Sequence, residues 1–253
     1  MKFIKAIVVV MLLTGCATQD SSTYKQKATP ERIQAWNNVA REYIRLEQYE
    51  DAKGPLKQAL QIDPSAAGSM MLMALVFQRQ GEDETADEYY KKALKITPDD
   101  SMINNNYGTF LLISQRYEKA CQHLAKAAND PLYSQRIWAL ENLASCYNLS
   151  NQPEQAEQIY LQVLRLNPNS ANALVEMGTI EYEREAYGKS FQYFERFSSL
   201  VRLRQGEHTA RSLYLGVQLA REGSDPGKAA TYALLLKNMY PSSVEYQRYK
   251  ETR

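Results

Sequence analysis

In the stretch WNNVAREYIRLEQYEDAKGPLKQALQIDP, apolar residues recur at spacings of 3, 4 and 7. Trp36, Val39, Ala40 and Tyr43 fall on one helical face, Ala52, Leu56 and Ala59 on a second, and Pro64 closes the unit. That pattern predicts two amphipathic helices joined by a short turn. The same skeleton returns 34 residues later as Met70, Met73, Ala74, Phe77, Ala86, Tyr90, Ala93 and Pro98. Small residues at the close contacts let helix backbones approach, large ones fill the groove beside them, and the closing proline cannot continue a helix. A single hairpin cannot bury its apolar face, but a stack of hairpins can.

A fixed period of this length is the signature of tetratricopeptide repeats. The expected fold is therefore all-α, a right-handed superhelical solenoid of about six tetratricopeptide (TPR) hairpins. The repeats fall near 33–66, 67–100, 101–136, 137–170, 171–204 and 209–242, followed by a short C-terminal cap. Pro55 lies inside the second helix of the first repeat, where a kink is expected. The third repeat, carrying Tyr107, Gly108, Leu111, Ala120, Leu124 and Ala127, runs about two residues long before Asp130-Pro131. In the fifth, Ser190 and Phe197 replace the expected alanines, which predicts looser stacking. After Ser198 the phase is lost for about ten residues, and the start of the sixth repeat stays open.

Residues 1–15 have Lys2 and Lys5, an apolar run from Ala6 to Leu13, then small residues before Cys16, as in a secretory signal. The apolar run is too short for a transmembrane helix. Leu13-Thr14-Gly15-Cys16 resembles a bacterial lipobox, which implies a signal peptide over 1–15 and a lipid on Cys16. Ala17, rather than aspartate, follows the cysteine, which by the same resemblance implies the outer membrane, facing the periplasm. Residues 16–30 lack apolar periodicity and read as a flexible tether, with the solenoid over 31–253.

The 30 Lys+Arg against 29 Asp+Glu argue against a binder that works by neutralising phosphates, so no nucleic-acid partner is expected. Neither His123 nor His208 stands at metal-ligand spacing, and both are expected at the surface. Phosphate loops, nucleophile elbows and paired carboxylates are absent from the sequence; Glu82, Asp83 and Glu84 read as a solvated helix start. No enzyme activity, small-molecule substrate or cofactor beyond the covalent lipid is expected. Cys121 and Cys146 fall in neighbouring hairpins and are expected as two buried thiols rather than a disulfide.

Binding is the natural use of such a superhelix, because the first helices of successive hairpins line a continuous concave surface. Positions not needed for stacking should face it: Asn37, Arg41 and Ile44, then Met71, Leu75 and Arg79, then Met102, Asn105, Thr109 and Leu112. Met71, Leu75, Met102 and Leu112 would form an apolar strip. Later repeats offer Glu141, Ser145, Asn148, Glu176, Thr179 and Glu183, so the partner site is expected in the first three repeats.

NNYGTFL at 105–111, KAANDPLYSQR at 126–136, ARSLYLGVQLAR at 210–221 and LKNMYPSSVEYQ at 236–247 resemble the PilF/PilW family, the tetratricopeptide pilotins of type IV pilus biogenesis. The proline in AKGPL at 52–56 matches a family feature. The resemblance implies a lipoprotein anchored through Cys16 that binds the outer-membrane secretin subunit and promotes its localisation and ring assembly. An adaptor for cell-wall hydrolases and a component of barrel assembly share the anchor and repeats, but not the Asp-Pro-Leu-Tyr and Tyr-Pro-Ser-Ser segments.

Overall fold

The computed structural model describes residues 21–252, and within them every regular element is an α-helix. Cys16 and the signal-like segment lie outside the described residues. Twelve helices form six antiparallel hairpins: α1 (Ser21–Arg45) with α2 (Tyr49–Ile62), α3 (Ala67–Arg79) with α4 (Asp83–Ile96), α5 (Ser101–Ile113) with α6 (Tyr117–Asn129), α7 (Arg136–Leu149) with α8 (Pro153–Leu166), α9 (Ala171–Glu183) with α10 (Tyr187–Arg202), and α11 (Ala210–Glu222) with α12 (Pro226–Met239). A short helix, α13 (Val244–Glu251), packs on α11 and α12 as the cap.

Helix α1 begins at Ser21, so residues 21–30 are helical rather than a tether. Lys25, Gln26, Lys27 and Ala28 are good helix formers, and elongating a helix already held by packing costs little. Helix α2 runs unbroken through Pro55. Gly54 removes the Cβ that would clash with the proline ring, so the preceding residue stays helical.

Ala52 and Leu56, with Ala86, Tyr90 and Ala93 and their equivalents in the third and fourth repeats, form one continuous core along the stack. Inside each hairpin the turn places one residue in the left-handed region: Glu47, Gly81, Gln115, Asn151, Glu185 and Ser224. The next amide then donates back to a carbonyl in the last turn of the first helix, as Arg116 N does to Leu111 O at 2.8 Å. The sixth hairpin starts at a capping box, in which Thr209 Oγ1 accepts from Ser212 N and Ser212 Oγ accepts from Thr209 N.

The looser fifth repeat expected from Ser190 and Phe197 is not found at those positions. Ser190 is fully buried and its hydroxyl donates to Gly178 O at 2.7 Å, while Phe197 is sealed in the core. Serine fits because its one polar group finds a carbonyl inside the hairpin. The histidines are half-buried, not surface residues. His123 Nδ1 lies 2.8 Å from Asn104 Oδ1 with its ring edge-on to Tyr107, and His208 sits between Phe197 and Tyr232. Burial holds both imidazoles below the usual histidine range, and Lys126 adds to this for His123.

The residue after each buried small residue of the second helix stands at the joint with the next hairpin, and the chemistry varies along the stack. Lys53 Nζ lies 4.8 Å from the Phe77 ring centroid and 3.9 Å from Glu82. Asp87 Oδ1 accepts from Arg116 at 2.7 Å and from Tyr107 Oη at 2.9 Å, and it also pairs with Lys91. Burial opposes ionisation of Asp87, but these three donors outweigh it and hold its carboxyl below the usual range. Cys121 and Cys146 form a disulfide between α6 and α7, contrary to the thiols expected. Their α-carbons lie 5.6 Å apart, within bridging reach, which sequence spacing alone does not reveal. Glu157 takes a two-pronged ion pair from Arg184 at 2.8 and 2.6 Å. At the fifth joint the equivalent residue is Phe191, half exposed, and the polar links run instead from α9 to α11, where Arg211 pairs with Glu176 and Tyr182 Oη donates to Glu222.

Candidate functional site

In the first helices inside the stack the residues most open to solvent lie along one stripe, because the other faces are taken by the helix's own partner and by neighbouring hairpins. Along α5 the stripe is Met102, Asn106, Thr109, Leu112 and Ile113; along α7 it is Trp138, Glu141, Asn142, Ser145, Asn148 and Leu149. Met102 and Trp138 occupy the same repeat position, as do Ile113 and Leu149, and all four are exposed. Trp138 stands out at 68% exposed.

The residues expected to line the groove divide into three groups. Met102 is open to it, and Arg41, Ile44, Leu75, Thr109 and Leu112 are half-buried. Met71 is core at 4% exposure, packed in the main cluster, and is not a groove residue. Asn37 and Asn105 are buried too, tying first helices together: Ser69 Oγ donates to Asn37 Oδ1 at 2.8 Å, and Asn142 Nδ2 donates to Asn105 Oδ1 and to Thr109 Oγ1, each at 3.3 Å. An amide at the flank of a stacked helix is used up by its neighbour before a ligand reaches it. Arg41 Nη1 is engaged by Asn38 on its own helix.

The polar half is also partly structural. Glu141 accepts from Ser170 at 2.6 Å; burial nonetheless pushes its carboxyl up from the usual range. Glu176 is buried, and Arg211 Nε lies 2.7 Å from its Oε1 as an ion pair without the alignment of a hydrogen bond. Burial raises the Glu176 carboxyl, with Arg211 opposing and Glu183 reinforcing.

The open apolar strip thus sits at the third and fourth repeats, one repeat further along than expected. Sequence reasoning passed over Trp138, Ile113 and Leu149. Trp138 carries a readable signal, since it repeats the position of Met102 once the two-residue lengthening of the third repeat is counted. Among the described residues no helix is long and apolar enough to cross a membrane.

Tetratricopeptide-repeat family models match residues 39–101, 99–169 and 150–200. The type IV pilus assembly protein PilF of Pseudomonas aeruginosa is 38% identical over 252 residues, covering 98% of each chain. The chain belongs to the PilF family. The structure of Pseudomonas aeruginosa PilF superposes with a TM-score of 0.80 at 37% identity, covering 89% of this chain and all of that one. The crystal structure of PilW, described as a widely conserved type IV pilus biogenesis factor, gives 0.71 at 28% identity over 86% of this chain and 97% of its own. Membership of the PilF family therefore extends over the whole stack, including the irregular joint after the third hairpin, rather than over a generic pair of repeats.

Proposed function

We propose that this protein is a non-enzymatic pilotin: a periplasm-facing lipoprotein, held in the outer membrane through Cys16, that binds the type IV pilus secretin subunit and promotes its localisation and multimerisation. The observation that carries this reading is the likeness to Pseudomonas aeruginosa PilF across nearly the whole of both chains. The lipobox-like Leu13-Thr14-Gly15-Cys16 supports the anchor. Two acyl chains or more give stable rather than marginal membrane attachment. The strip of Met102, Ile113, Trp138 and Leu149 supports the docking role, because it is an apolar surface that stacking does not use.

Calorimetry between the mature chain and the secretin's periplasmic region tests the docking role. Trp138→Ala is expected to weaken binding by about 2 kcal/mol or more, as truncation of a central tryptophan does. Its urea stability should stay within about 0.5 kcal/mol, since the side chain stands in solvent. Unchanged secretin binding by this variant would move the site off the strip. Recovery of a hydrolase or a barrel-assembly protein in place of secretin would overturn the pilotin reading. Cys16→Ser should shift the protein from the outer-membrane fraction to the soluble periplasm without changing its melting temperature.

A further inference from the structure

The strip on α5 and α7 has two apolar rims and a polar floor. Met102 and Trp138 stand near the starts of their helices, and Ile113 and Leu149 at the ends, all four exposed. At 1.5 Å per residue the rims lie about 16 Å apart along the helix axes. Between them the two adjacent first helices carry Asn106 and Asn142 at the same repeat position, at the usual helix spacing of about 8–10 Å. Both amides are oriented through their nitrogens. Asn106 Nδ2 donates to Met102 O at 2.8 Å, and Asn142 Nδ2 to Asn105 Oδ1 and Thr109 Oγ1, each at 3.3 Å. Thr109 commits its own hydrogen to Asn105 O at 2.9 Å, so its oxygen can only accept from Asn142, which fixes the nitrogen end of that amide. The two Oδ1 atoms have no donor among the described residues, and neither is sealed from solvent. The one charged residue in this part of the groove, Glu141, is engaged by Ser170.

We propose, building on the docking role of this strip, that it receives an extended, uncharged, apolar segment of the partner running across the helices. In an extended chain successive side chains point to opposite sides, and every second N–H points the same way at right angles to them. The segment's side chains therefore alternate between the Met102–Trp138 rim and the Ile113–Leu149 rim. Alternate N–H groups, about 7 Å apart, face the floor and donate to Asn106 Oδ1 and Asn142 Oδ1. Two repeats span about 20 Å, the length of roughly six extended residues. A partner helix of ordinary diameter fills the same width, but its N–H groups are bonded within the helix, and its apolar face would cover both oxygens without supplying a donor. The free acceptors thus select an open backbone, and the rims select the side chains on either side of it.

The test titrates the mature chain, in a Trp36→Phe background, with the capped peptide Ac-Lys-Thr-Phe-Val-Leu-Ile-Thr-Lys-NH2 and reads Trp138 emission. Four analogues carry a single backbone N-methyl group at each central residue in turn. Affinity should alternate along the series, falling about three- to tenfold for every second analogue, the loss expected for one hydrogen bond, and little for those between. In Asn106→Ala and in Asn142→Ala the loss at one of the two sensitive residues should vanish. Asn142 also links α5 to α7, so the peptides are compared with one another on the same variant, which cancels any change in its stability. No binding at millimolar peptide, a flat response to N-methylation, an alternation that survives both variants, or tighter binding of a helical peptide with the same apolar side chains would each overturn the proposal. Competition separates it from the secretin reading. Alternation without displacement by the secretin's periplasmic region upholds the extended mode and fails that reading, whereas displacement without alternation does the reverse.

Discussion

Gly108 sits at a close approach of α5 to α6, and adding one methyl group there gives a sharp test of how the repeats pack. An alanine Cβ would lie 2.7 Å from Leu124 Cγ, 2.9 Å from its Cδ2 and 3.1 Å from its backbone nitrogen. Ordinary carbon contacts begin near 3.4 Å, so α5 and α6 must part by several tenths of an ångström. Leu124 cannot swing away, because it is fully buried in the main core. Such overpacking costs about 1–3 kcal/mol, against which alanine recovers about 0.5–1 kcal/mol of helix propensity. The net is a loss of roughly 1–2 kcal/mol. With a urea slope of about 2–3 kcal/mol per M, the unfolding midpoint of Gly108→Ala should fall by roughly 0.3–1 M. Gly188→Ala is the companion variant: nothing lies within 4 Å of its added Cβ, so it should hold or raise the midpoint. Equal midpoints for Gly108→Ala and the parent protein would refute the claim that small residues here are dictated by helix approach.

Reduction of the Cys121–Cys146 bond, which spans 25 residues, should cost about 3 kcal/mol by loop entropy; a urea midpoint unmoved by dithiothreitol would count against it. Denatured, unreduced protein should show neither of these thiols free. Both histidines have folded pKa values below that of the unfolded chain, so the unfolded state takes up protons first. Stability should therefore hold above about pH 6.5 and decline as pH falls through and below it. His208→Gln should flatten that decline, as read by urea unfolding at a series of pH values. Gln115 adopts φ 57°, so Gln115→Gly should stabilise by about 0.5–1 kcal/mol, whereas a lower melting temperature would show that its side chain matters more than its backbone.

The hairpins were readable because alanine, glycine and aromatic residues recur at positions fixed by helix approach, and that periodicity survives changes in everything else. The joints were not, because their partners come from different hairpins and different chemistries. Nothing in the local pattern says that Cys121 meets Cys146 or that Asp87 meets Arg116. The groove was half readable. Met102 follows from helical phase, but Met71 falls at the repeat position of Asn37 and Asn105, and all three are buried. Asn37 and Asn105 have the polarity of ligand-binding residues, yet a serine or asparagine one repeat away satisfies them first.

Because the joints are fastened by more than one kind of interaction, the stack responds unevenly to its surroundings. A reductant acts on the coupling between the third and fourth hairpins, whereas acid and salt both act on the two carboxylate–arginine pairs, Asp87 with Arg116 between the second and third and Glu157 with Arg184 between the fourth and fifth. The sixth hairpin answers to acid and salt as well, through the Arg211–Glu176 ion pair and through His208 between Phe197 and Tyr232. Such a solenoid loosens at one joint on reduction and at several together in acid or high salt.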